Sequence, residues 1–228
     1  MASRNGENGH GRLPGVRLVG SPSASAGPLF DDDGGGEPVG EIVDTSLVTF
    51  TAQACKLEVA PPFGSFVKVT APERTVYGVV YAIHTGSLEP GGRPVLRGRD
   101  GMRDREIFDQ NPDLAHLLRT EFAALIVGFR EGSALRSYLP PNPPPLHWSV
   151  AECGQDEVVR LTERLDYLRT ILSAADAPVD ALLAANIRWA SAASADVASF
   201  RVAAGRELAT LLKHDYPRLS AILRALVD

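Results

Sequence analysis

Arginine supplies nearly all of the positive charge in this sequence, and one short stretch concentrates it. Of the 23 basic residues, only Lys56, Lys68 and Lys213 are lysines. Guanidinium groups form paired hydrogen bonds with phosphate or carboxylate oxygens, so the arginines of the dense stretch are candidate anion or nucleic-acid contacts. The alternative is a solvated loop whose arginines and aspartates largely cancel. The candidate residues are Arg93, Arg97, Arg99, Arg103 and Arg105.

The other reactive residue types do not form a recognisable site. Cys55 and Cys153 lie far apart and match no metal or redox spacing, and the five histidines show no paired spacing of four residues. None of the three lysines follows a glycine, which excludes the phosphate-binding loop of common ATPases. There is also no Gly-x-Ser-x-Gly nucleophile motif. The sequence therefore predicts no catalytic residue, no cofactor and no metal, and we expect a protein that is not an enzyme.

Composition and charge limit the class of protein. The chain has 228 residues, of which 44% are hydrophobic and 22% are charged, which suits one mid-sized domain or two small ones. The net charge of −5 disfavours non-specific binding of nucleic acid, because such binding needs a concentrated cationic surface. No apolar run has the length of a membrane helix and no apolar signal core opens the chain. We expect a cytoplasmic protein that makes no membrane contact.

The first half of the chain changes from a polar tail to a β pattern. Residues 1–38 are rich in Gly, Ser and Pro, and we expect a disordered tail. Residues 39–138 show short apolar runs broken by Gly and Pro, which favour a small closed β-barrel. Its predicted strands include one at 55–59, and Gly78 suggests a bulge within another. A long inserted loop, 88–120, separates the fourth and fifth strands and carries a predicted helix at 113–119.

The second half of the chain is predicted to be helical. Residues 139–150 are proline-rich and are interpreted as a stiff linker, which places a domain boundary before the helical region, 151–228. Four helices are expected there, and they suggest a bundle. The first helix carries an apolar stripe that is either buried among the helices or partly free as a partner surface. The stripe consists of Leu161, Leu165, Leu168 and Leu172.

The order of elements in the first half resembles a known family. The segment contains Val39-Gly40-Glu41-Ile42-Val43, then Gly64-Ser65-Phe66-Val67, then Tyr77-Gly78-Val79-Val80, a distant apolar strand from Ala124 to Phe129, and a proline-rich exit. This order resembles the HAS-barrel family, the small barrel shared by HerA-type DNA-translocating ATPases and ATP-synthase catalytic-type subunits. The resemblance implies a HAS-like barrel in the first half, and with the helical pattern of the second half we expect an α+β fold, a small N-terminal barrel followed by a helical bundle.

Two functions are compatible with this resemblance. Because the helical region stands where an ATPase core would follow the barrel, the resemblance implies a non-catalytic assembly or adaptor protein. Its expected partner is a HerA-like ATPase or a NurA-like nuclease in DNA processing, and it is a candidate homo-oligomer. The alternative is a small nucleic-acid-binding barrel that uses the arginine-rich loop and stacks bases on exposed Tyr77 or Tyr81.

Overall fold

The computed structural model describes residues 36–89, 91–98 and 101–227, and these residues belong to one compact unit. Most of the predicted disordered tail, residues 1–35, lies outside the described residues. The strands are β1 (Pro38–Thr45), β2 (Thr49–Ala54), β3 (Phe66–Thr70), β4 (Thr75–Ser87), β5 (Leu118–Glu131), β6 (Ala134–Arg136) and β7 (Ser149–Glu152). The helices are α1 (Arg105–Gln110), α2 (Leu114–Leu117), α3 (Gln155–Thr162), α4 (Tyr167–Leu172), α5 (Val179–Ala193), α6 (Val197–Leu211) and α7 (Tyr216–Val227).

Six of the strands close into a barrel. They are hydrogen-bonded in the order β2-β1-β7-β3-β4-β5, and β5 pairs again with β2 to complete the circle. Every pairing is antiparallel, and β6 adds a short strand to one end of β5. Closure leaves the barrel without the unpaired edges that an open sheet of this size would expose. The predicted α+β architecture, a small barrel followed by helices, is therefore confirmed.

Alternation along the strands divides the apolar residues between two cores. In β3, Val67 and Val69 point into the barrel, while Phe66 and Lys68 point outward. The barrel interior is filled by twelve buried apolar residues, with Phe50 and Phe122 among the largest. The predicted bulge at Gly78 is confirmed by a register shift between Tyr77 and Gly78.

The helices cover the outer face of β3, β4 and β5. Phe66, Val79 and Leu125 belong to the same core as the apolar faces of α3 to α7. This explains why these strands are apolar on both faces, since one face packs inside the barrel and the other packs under helices. Within the described ranges, no helix has both the length and the apolar character that crossing a bilayer requires.

The helices approach the barrel closely at Gly64. This residue has φ +86°, and a Cβ atom placed on it would lie 2.8 Å from the Cβ of Ala185 in the middle of α5. The side-chain amide of Asn186 donates a hydrogen bond of 2.9 Å to the carbonyl oxygen of Gly64. Barrel and helices are thus joined by backbone-level packing as well as by apolar side chains.

Several local predictions differ from the structure. The strand expected at 55–59 is wrong, because the chain turns there: Lys56 forms an isolated bridge with Val59, and Glu58 has φ +60°. The helix expected to run through Leu172 is two helices, since it breaks between α3 and α4. The helix expected at 113–119 is only α2, because β5 begins at Leu118.

The proline-rich segment leads directly back into the barrel. After it, β7 lies between β1 and β3, so the boundary predicted at 150 falls inside a barrel strand. The approach is held by two contacts: the hydroxyl of Thr45 donates to the carbonyl oxygen of Pro144 at 3.0 Å, and the Nδ1 atom of His147 lies 2.7 Å from the Oε1 atom of Glu41. The segment therefore runs along β1, and the last strand of the barrel comes after it.

Candidate interaction surfaces

The arginine-rich segment sits at the far end of a long β ribbon. Strands β4 and β5 continue beyond the barrel and pair down to Ser87 and Leu118. The chain between them forms α1, α2 and irregular loops. Because both ribbon strands are hydrogen-bonded to their ends, the inserted segment is attached to the barrel by two adjacent strands.

The structure brings some of the predicted arginines together. Arg97 and Arg103 both line an open cavity of about 520 Å³ in the inserted segment. Arg93 and Arg105 are exposed, and Arg99 lies outside the described residues. The fold thus places Arg97 and Arg103 at one cavity, and their role as anion or nucleic-acid contacts stays a prediction.

The electrostatics of this cavity are balanced rather than strongly positive. The guanidinium of Arg97 donates to the Oδ1 atom of Asn111 at 3.2 Å and to the Oδ2 atom of Asp113 at 3.4 Å. Asp104 also lines the cavity beside Arg103. A guanidinium that already holds a carboxylate has less capacity to bind a phosphate, so Arg103 is the freer of the two cavity arginines.

The rim of the cavity exposes apolar side chains. Val95 is 70% exposed and Leu96 is 84% exposed, and both line the cavity with the partly exposed Phe108. Apolar groups in an open, arginine-bearing depression suit contact with another macromolecule better than contact with water. The sequence signal was the apolar pair itself, which lies in a Gly- and Pro-rich stretch with no strand pattern.

The leucine stripe lies inside the protein. Leu161 and Leu168 are buried in the core between helices and barrel, and Leu165 and Leu172 are partly buried against the same core. The stripe therefore belongs to the shared core of helices and barrel. The interpretation of these four leucines as a partner surface gains no support from this placement.

The two tyrosines proposed for base stacking also pack against other parts of the protein. Tyr77 is 3% exposed, and its hydroxyl accepts a hydrogen bond of 3.3 Å from Arg130. Burial raises the pKa of both tyrosines, and the nearby Asp176 adds to the effect at Tyr81, which packs partly against the helices. The expectation of an exposed Tyr77 is therefore wrong, whereas stacking of a base on the partly exposed Tyr81 stays a prediction.

A polar cluster lies at the junction of barrel and helices. The ammonium of Lys68 lies 2.7 Å from the Oε2 atom of Glu157, and these side chains are 6% and 22% exposed. The same Glu157 oxygen accepts the N–H of Gly154 at the start of α3. Burial, reinforced by the charge of Glu157, raises the pKa of the Cys153 thiol. An ion pair whose carboxylate also caps a helix fixes the position of α3 on β3.

The described residues offer no evident metal site, since no three His, Cys, Asp or Glu side chains come together there. The expectation of a protein without metal or cofactor stays a prediction. One surface was missed by the sequence reasoning. In β4, residues 75–80 are buried, whereas residues 82–85 are exposed.

Comparison with known proteins identifies the barrel. A family model described as the HAS barrel domain matches residues 39–132, which include β1 to β5. A search of curated proteins found no match to the chain. The match agrees with the closed barrel and with the resemblance seen in the sequence, and it ends before β7. Residues 39–132 of this chain are thus similar to the HAS barrel domain.

Proposed function

We propose that this protein is a non-catalytic assembly or adaptor protein that associates with a HerA-type DNA-translocating ATPase or with its nuclease. The observation that carries the proposal is the HAS barrel over residues 39–132, a domain that HerA-type ATPases also carry. In this chain the outer wall of the barrel is covered by the protein's own helices. A barrel that is stabilised by helices of its own chain can fold without a partner protein and act as a docking module.

The inserted segment is the surface that we assign to the partner. It extends from the barrel on two paired strands, and it presents Leu96 and Val95 to solvent beside an arginine-bearing cavity. Apolar anchors surrounded by polar groups are typical of protein interfaces, and arginine is enriched there. The balanced charge around Arg97 fits a protein partner better than a phosphate backbone.

The experiment is sedimentation velocity of this protein mixed with the HerA-type ATPase and, separately, with the NurA-type nuclease of the same cell. The proposal predicts a complex with at least one of them. Leu96→Glu should weaken the complex, because it places a charge on the exposed apolar rim. The matched control is Val202→Glu, which introduces the same charge at an exposed position on α6. Independent sedimentation of all components contradicts the proposal.

The alternative, nucleic-acid binding through the inserted loop, is supported by the exposure of Arg93, Arg103 and Arg105. A gel shift with single-stranded and duplex DNA at low ionic strength tests it. Binding by these arginines should fall steeply with added salt, and Arg103→Ala should weaken it. Binding of DNA without binding of either protein would favour this alternative over the adaptor.

A further inference from the structure

The ribbon strand β4 has one unpaired edge. Its pairing with β3 ends at Val79, and the last backbone contact on that side joins the N–H of Gly64 to the carbonyl oxygen of Val80. On the other side, residues 82–87 pair with β5 in regular register. In the part of the chain that the structure describes, no backbone hydrogen bond reaches the open side of 82–87. This edge is about 20 Å long, given about 3.3 Å per residue.

Nothing in the sequence of this edge prevents it from pairing. Proteins protect open edges with lysines, prolines, bulges or inward charges. The stretch Tyr-Ala-Ile-His-Thr-Gly-Ser at 81–87 has no charged residue other than a histidine and no proline. Its one bulge lies at the start, between Val80 and Ala82, and the pairing beyond it is regular. Ile83, which is 46% exposed, follows directly.

We propose that two copies of this chain pair antiparallel through this edge, about a two-fold axis at His84. In that register His84 lies opposite its own counterpart, Ile83 lies opposite Thr85, and Ala82 lies opposite Gly86. The joined ribbons form one continuous sheet of four strands, β5-β4 of one copy and β4-β5 of the other. The proposal does not depend on the adaptor function.

The residues on and beside the edge favour a second copy over an unrelated strand. Beside the axis, the cross-strand pairs join two β-branched residues, Ile83 with Thr85, or two small residues, Ala82 with Gly86, and no Lys, Arg, Asp or Glu lies in the paired stretch. Within each copy, Glu121 of β5 is the partner of His84 and Arg119 is the partner of Gly86. Arg119 and Glu121 already form an ion pair of 3.0 Å. Strand β5 therefore adds no net charge beside the proposed interface between the two copies.

The first test is sedimentation equilibrium of the full chain. The proposal predicts a dimer of twice 24.4 kDa. His84→Lys should raise the dimer dissociation constant by about fivefold, because it sets two ammonium groups directly opposite each other. Within one copy the new lysine faces Glu121, so the monomer should keep its fold. The matched control, Val202→Lys on α6, should leave the dimer unchanged.

The second test is a cross-link that requires this register. At a two-fold axis the two position-84 Cα atoms lie about 4.5–5.5 Å apart, which is within the range for a disulfide. His84→Cys, in a Cys55→Ser background, should oxidise to a covalent dimer. Leu47→Cys, exposed in the β1–β2 turn, should not.

Three results would overturn the proposal. The first is a monomer up to about 100 µM, which no functional edge pairing would give. The second is a dimer that His84→Lys leaves intact. The third is a dimer that cross-links through Leu47→Cys and not through His84→Cys. Circular dichroism of each variant establishes that the changes act on association and not on folding.

Discussion

Replacing Gly64 by alanine tests the contact that joins the helices to the barrel. Two separate costs follow from the structure. Gly64 has φ +86°, and a residue with a Cβ atom pays about 1–2 kcal/mol in the left-handed region. The second cost is steric, because the new Cβ would lie 2.8 Å from the Cβ of Ala185 and 2.9 Å from the backbone nitrogen of Asn186.

The steric cost is large because part of what the new atom meets is helix backbone. Side chains can rotate away, but the main chain at Asn186 can move only if α5 shifts on the barrel. Overpacking of this kind costs about 1–3 kcal/mol. The two costs together are about 2–5 kcal/mol, against a typical domain stability of about 5–15 kcal/mol.

The assay is urea denaturation followed by circular dichroism, with Gly132→Ala as the control. Gly132 also has positive φ, +55°, but a Cβ atom there would meet nothing within 4 Å. The free energy of unfolding of the control should therefore fall only by the backbone cost of about 1–2 kcal/mol. If Gly64→Ala loses no more stability than Gly132→Ala, α5 does not pack on the barrel as described.

Three smaller experiments test a helix cap, two thiols and a helical glycine. Asp196→Ala should lower the melting temperature at neutral pH, because it removes the cap of α6. Hydrogen bonds from Ser199 hold the pKa of Asp196 below its usual value. The stability that the cap contributes is therefore fully present at pH values above the usual pKa, and it is lost as the pH falls through the lowered pKa. A thiol reagent at about pH 8 should modify exposed Cys55 quickly and Cys153 slowly, since burial raises the pKa of Cys153, and equal rates would contradict this. Gly205→Ala in α6 should raise the free energy of unfolding by about 0.5–1 kcal/mol, because alanine favours a helix more than glycine does. The new Cβ would lie 3.5 Å from Leu223, which is an ordinary contact distance, so a loss of stability would contradict the packing of α6 on α7.

The elements that the sequence predicted well are those with a regular apolar period. The short apolar runs of the first half form the strands of a closed barrel, and the bulge at Gly78 was predicted from a glycine within an apolar run. The helices from α5 onward also lie in the region that was predicted to be helical. In these elements local sequence and tertiary packing favour the same structure.

The missed features depend on contacts between distant parts of the chain. Strand β7 has four residues, which are too few to show an apolar alternation in the sequence. It forms because it can pair with β1 on one side and with β3 on the other. The turn at Glu58 is stabilised by a hydrogen bond of 2.7 Å from its N–H to Thr120, which is 62 positions away. The open edge of β4 follows from where β3 ends, and the sequence of β4 carries no sign of that.

We propose that this protein, whose residues 39–132 match the HAS barrel domain model, binds a component of a HerA-type DNA-processing machine. The most direct test is a calorimetric titration of the purified protein into the HerA-type ATPase and into the NurA-type nuclease, at a salt concentration that suppresses non-specific charge contacts. We expect saturable binding to at least one of them, weakened by Leu96→Glu and unaffected by Val202→Glu. No heat of binding with either protein, together with salt-sensitive binding to DNA, would contradict it.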